Sequence, residues 1–163
     1  MSAEKTKTDR SGIPEFNRDF FTGTEKVTCI GPGEIGGKAQ GLASVNREIQ
    51  QLAENEKDNT VCIDIPRFSV ITTHFFDLFM KQNRLYDLAL SDIRDERMAH
   101  HFQAADIPAD LIGDLWALVS NVHSPLAIRS SSLLEDSLAT PFAGVYGTKM
   151  IPNNEPDPES RFQ

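Results

Sequence analysis

Two cysteines, one tryptophan and two tyrosines are all that the 163-residue chain holds of those types, and it has no apolar run of membrane-spanning length. Cys29 and Cys62 each lie in a short apolar, strand-like segment, so buried reduced thiols are expected rather than a disulfide, and their spacing suggests no metal site. A bilayer span needs about 20 apolar residues in a row, and the amino-terminal "MSAEKTKTDRSG" has no hydrophobic stretch that could act as a signal peptide. No membrane role is expected, and a cytoplasmic location follows by default. Cations are scarce too: 16 Lys and Arg stand against 24 Asp and Glu, a net charge of −8. Non-specific nucleic-acid binding depends on clustered cations that neutralise phosphates, so none is expected and any polyanion site has to be local. Single basic residues inside neutral or glycine-rich stretches, above all Lys38 and Arg129, then carry more information than the total charge.

What the chain does have is enough apolar content, 39%, for one core. After a polar, aperiodic start, read as a flexible arm over residues 1–20, "KVTCIG" from Lys26 to Gly31 is a short β-type run that ends in the turn cluster "GPGEIGGK". Leu42, Val45, Ile49 and Leu52 then recur at helical spacing. "TVCIDIPRFSVITT" predicts two more β-type runs parted by Pro66, and Thr73 is placed to cap a helix with Phe75, Phe76, Phe79 and Met80 on one face. Ser91 is a candidate start for a further helix. In "IPADLIGDLWALVSNV", Pro108 suits a first helical turn and Leu111, Ile112, Leu115, Trp116 and Val119 form an apolar stripe, with Trp116 expected in the core. "PLAIRSS" reads as a buried strand and "GVYGTKMIP" as another. The fold class is therefore α/β (α+β), helices packed on a small mixed sheet. Asp157, Pro158 and Glu159 look like the cap and first turn of a helix that the end at Gln163 cuts short, so the chain reads as the front part of something larger.

Two stretches could handle an anion. Gly36 and Gly37 let backbone N–H groups approach a ligand closely, and Lys38 stands in the first turn of the following helix, where the dipole and the ammonium both favour phosphate. The spacing is not that of a Walker A loop, and a glycine turn followed by a solvated helix lysine accounts for the same residues. Arg129 ends a strand and enters "SSS", so a planar two-donor fork stands beside the hydroxyls of Ser130 and Ser131. An ion pair of Arg129 with Glu135 or Asp136 is the alternative. His74, His100, His101 and His123 lack any triad or metal spacing and are read as surface or capping residues.

Taken together, "GEIGGKAQGLASV", "IPRFSVITTHFF" and "LAIRSSSLLEDSLATPFAGVYGT" resemble, in order and spacing, the glycine-lysine loop, the Pro-containing strand with its Thr-capped helix, and the arginine-serine loop of phosphoenolpyruvate synthase and pyruvate phosphate dikinase. The resemblance runs from about Phe21 to about Pro152. It implies the front part of an ATP-grasp-type PEP/pyruvate-binding domain over residues 21–163, with ATP as ligand and Mg2+ held mainly by carboxylates of the missing second half. It also implies that Lys38 and Arg129 act on the ATP phosphates as catalytic residues, and that Gly36, Gly37, Ser130 and Ser131 complete the phosphate site. In the family a phosphoryl group passes to a histidine on a separate domain and then to pyruvate, so pyruvate and PEP would be met through other domains; that histidine's motif is not found here. A fragment of this kind would not turn over alone, and homo-oligomerisation is compatible with it. The alternative is a short, non-catalytic nucleotide- or phosphate-binding regulatory module that keeps the fold. Two departures stand out: "IPRFSV" lacks the glycine expected after its proline, and Leu133 and Leu134 replace smaller residues after the serines.

Overall fold

The computed structural model describes residues 12–55, 63–132 and 146–162. Cys62, Leu133, Leu134, Glu135 and Asp136 lie outside them, and so does most of the segment after the serines. Strand β1 (Val27–Ile30) leads through the glycine-rich turn into α1 (Gly37–Asn55) and then β2 (Phe68–Ile71), which pairs parallel to β1 with Val27 opposite Phe68 and Ile30 opposite Ile71. This is a β–α–β unit, the connection that parallel strands require. Helices α2 (Thr73–Gln82), α3 (Leu85–Ala89), α4 (Asp95–Gln103) and α5 (Ala109–Asn121) follow. Strands β3 (Leu126–Arg129) and β4 (Thr148–Ile151) then form an antiparallel ribbon, and α6 (Pro158–Phe162) comes last. The α/β class holds; in place of one mixed sheet the described residues form two two-stranded sheets, one parallel and one antiparallel.

β1 is buried along its whole length because it is covered on both faces. On one side Ala39 of α1 meets Cys29, Ile35 and Val70, while Ala43 meets Val27 and Ile65. On the other, Ile30 packs with Phe75 of α2 and Leu111 of α5. Cys29 is a buried thiol, as expected. α1 forms where its spacing predicts, yet its buried face is the small one: Ala39 and Ala43 face the strands while Leu42, Val45 and Leu52 are exposed. Small side chains allow the helix to lie close over the sheet, a demand that hydropathy alone does not register.

Several expectations need correction. Residues 13–20, assigned to the arm, pack against β1: Phe16 N–H donates to Cys29 O and Cys29 N–H to Pro14 O, and Phe16, Phe20 and Phe21 meet edge to face. The segment 63–67 makes no strand before Pro66, although Ile65 is buried. Instead Arg67 donates to the carbonyls of Phe20, Phe21 and Gly23, tying down the 3-10 turn Arg18–Phe21. The cap of α2 is Thr72 rather than Thr73, and Phe76 faces outward while Phe75 and Met80 are buried. Ser91 closes α3 by donating to Leu88 O, and α4 starts after Arg94. Trp116 is not core but 38% exposed, with its ring edge-on to Phe162 at 5.4 Å. β3 is not buried either: Ala127, Ile128 and Arg129 are exposed, as is all of β4. Helix α6 begins as expected, Asp157 Oδ2 accepting from the Ser160 amide at 3.0 Å and its hydroxyl at 2.9 Å.

Candidate phosphate-facing site

The glycine-rich turn leaves β1 at Gly31, whose φ of +84° and closeness to the Phe75 ring leave no room for a Cβ. Two adjacent threonines then fasten the turn. Thr72 Oγ1 donates to Pro32 O at 2.8 Å and reaches Ile30 O at 3.2 Å. Thr73 holds Glu34 at two points, its N–H donating to Glu34 O at 3.0 Å and its Oγ1 accepting from Glu34 N–H at 3.1 Å. α2 thereby grips the turn from one side. The role of Thr73 was missed because a threonine at a helix start reads as a cap; the pair "TT" immediately after a strand was the available signal.

The opposite side of the turn meets the serine loop. Ser131 Oγ accepts the Ala39 N–H of α1 at 3.1 Å, across 92 positions of sequence. Gly36 is buried directly against Ser131, so that a Cβ on Gly36 would overlap the Ser131 carbonyl. The first intrahelical bond of α1, Gln40 N–H to Gly36 O, starts at the same place. The fold therefore joins two stretches that the sequence keeps far apart, Gly36–Gly37–Lys38 and the loop after Arg129. Gly37 and Lys38 are half-buried, Ser131 is half-buried, and Arg129 and Ser130 are exposed. Since a chain advances at most about 3.5 Å per residue, Arg129 lies within roughly 7 Å of Ser131 along the backbone. The predicted residues thus lie on adjoining segments, the amino-terminal turn of α1 and the chain just after β3. Ser131 differs from expectation in one respect: its hydroxyl already serves α1.

Neither of two surface depressions involves these residues. One is lined by Ile13, Glu25, Ala43 and Arg47, the other by Ile71, Phe76, Pro108 and Leu115. Among the described residues no group of three or more His, Cys, Asp or Glu side chains could hold a metal ion. The four histidines are exposed, and His123 Nδ1 lies 3.0 Å from Arg161 Nη1. Among the described residues no helix is long and apolar enough to cross a membrane.

Residues 33–159 match the family model described as pyruvate phosphate dikinase, AMP/ATP-binding domain. No curated protein and no solved structure matches the chain.

Proposed function

Because the chain belongs to the pyruvate phosphate dikinase AMP/ATP-binding domain family, we propose that it is the ATP-binding portion of a phosphoenolpyruvate synthase-like phosphotransferase, with Lys38 and Arg129 gripping the ATP phosphates. The observation that carries this reading is the junction of Ser131 with Ala39 and Gly36, which brings the lysine turn and the arginine loop to one place. The amides of Gly36 and Gly37 and the hydroxyl of Ser130 supply further donors to the same anion. Arg129 offers two parallel N–H donors to a pair of phosphate oxygens, and Lys38 supplies a point charge beside the helix dipole. In the full reaction ATP's β-phosphoryl group passes to a histidine on another domain, leaving AMP and the γ-phosphoryl group for water or phosphate, and the histidine then gives its phosphoryl group to pyruvate. That chemistry depends on positioning and electrostatics more than on covalent participation by these residues. Mg2+ would arrive with the nucleotide.

The test is an NMR titration of the 163-residue chain with ATP and Mg2+. Amide shifts should gather at Gly36–Lys38 and at Arg129–Ser132, and Lys38→Ala or Arg129→Ala should each weaken binding by about ten- to a hundredfold, from about 1.5–3 kcal/mol per charge-assisted contact. A folded chain that shows no shifts at millimolar ATP refutes binding by this portion.

A further inference from the structure

We infer that Ser131 is a positioning residue, a hydroxyl latch that sets the separation of Arg129 from Lys38 so that the two cations engage one polyphosphate together. This rests on the ATP-binding reading above and goes further, because it takes Ser131 out of the set of direct phosphate ligands.

Helix α1 opens with amides that have no intrahelical partner, and the third of them in the chain order Gly37, Lys38, Ala39 is met by Ser131 Oγ. A capping oxygen for this first turn thus comes from 92 positions away. Such a bond orders two segments at once. It fixes the first turn of α1, which carries Lys38, and it fixes the loop that follows Arg129 by two residues. Backbone contact reinforces it, because Gly36 has no Cβ and Ser131 packs into that space. Thr73 holds Glu34 from the far side, so the turn cannot drift away from α2 to follow a departing serine loop. Arg129 pairs with Thr148 in the β3–β4 ribbon, but its side chain is exposed on a strand whose side chains are mostly exposed, so the ribbon leaves that side chain little constrained. With the Ser131 hydroxyl in place, the distance between the two cations is set before the ligand arrives, and less ordering is left for binding to supply.

The experiment compares wild type, Ser131→Ala and Ser131→Thr, the last keeping the hydroxyl. In ligand-free protein, amide exchange at Ala39 should speed up about tenfold in Ser131→Ala and stay near wild type in Ser131→Thr, while Ala43, one turn on, keeps its rate. MgATP affinity, read by NMR titration, should fall about tenfold in Ser131→Ala and stay within about twofold in Ser131→Thr. Arg129→Ala should cost much less affinity in the Ser131→Ala background than in wild type, a coupling that a merely stabilising serine would not produce. Unchanged Ala39 exchange and affinity in Ser131→Ala, or equal effects of Arg129→Ala in both backgrounds, overturn the latch while leaving the ATP reading intact. A wild type that is folded, has a protected Ala39 amide and ignores MgATP overturns the ATP reading, and the role of Ser131 in ligand binding falls with it.

Discussion

Gly36 and Gly41 are five residues apart, and the structure assigns opposite outcomes to the same substitution. Gly36→Ala drives a methyl into the Ser131 carbonyl, so either the serine loop or the start of α1 has to move. The expected cost is about 1–3 kcal/mol in urea unfolding, together with loss of the shifts that ATP induces. Gly41 lies inside α1, and a Cβ there meets nothing within 4 Å. Gly41→Ala should therefore stabilise by about 0.5–1 kcal/mol by removing backbone freedom from the unfolded chain, with ATP binding unchanged. If both variants shift the urea midpoint in the same direction, the close approach of Gly36 to Ser131 is not real in solution. At this scale Lys38 and Arg129 could be picked out in the sequence, because a cation beside glycines or serines is unusual in an acidic chain. The bond from Ala39 to Ser131 could not, because an alanine amide has no sequence signature and its partner is 92 positions away.

Two segments depend on single polar side chains. Arg67 donates to three carbonyls at the end of the 3-10 turn and stacks over Phe20 at 5.7 Å. Arg67→Met should lose about 1–2 kcal/mol of stability, and the amides of residues 20–23 should exchange faster, whereas a fall in stability without local exchange would place its effect elsewhere. Helix α6 depends on Asp157, whose carboxyl the Ser160 hydroxyl, and after it the Ser160 amide, holds below the ordinary aspartate range. A value depressed in the folded state means that the cap contributes fully above the ordinary value of about 3.9 and is lost as pH falls through the depressed one. Phe162 of α6 lies on Trp116, the only tryptophan of the chain, so its fluorescence reports the helix directly. Emission should stay constant from neutral pH down to about 5 and change below about 4, and Asp157→Ala should show the changed emission at neutral pH already. Identical spectra for Asp157→Ala and wild type would show that the cap does not hold Phe162 on Trp116.

On the scale of the whole molecule, an acidic chain carries exposed apolar side chains on several elements: Leu42, Val45 and Leu52 on α1, Phe76 on α2, Ile128 on β3 and Met150 on β4. Mutual repulsion at a net charge of −8 opposes association at neutral pH, and that repulsion vanishes near the isoelectric point of about 4.9. Light scattering at fixed concentration should therefore be low at pH 8, rise steeply as pH nears 5 and fall again on return to pH 8. A flat profile would mean that these side chains do not drive association. The same exposure marks where the sequence misled. Trp116, Ile128 and the large residues of α1 are apolar and periodic, so pattern reading assigns them to a core, but a core forms only where another layer arrives to cover the face. In the described residues such layers cover β1 on both sides and leave β3 and β4 open.

By itself the sequence determined the α/β class, the order strand, glycine turn, helix and strand, the start of the last helix, and the family, because glycine and proline punctuation, capping side chains and motif spacing are local and survive without partners. Which face of α1 is buried, that Thr73 grips a turn rather than capping a helix, and that Ser131 joins Gly36 and Ala39 were decided only by the tertiary structure. Those are contacts between distant segments, selected by how closely two backbones approach, and close approach is a property of the packed chain rather than of any residue in it.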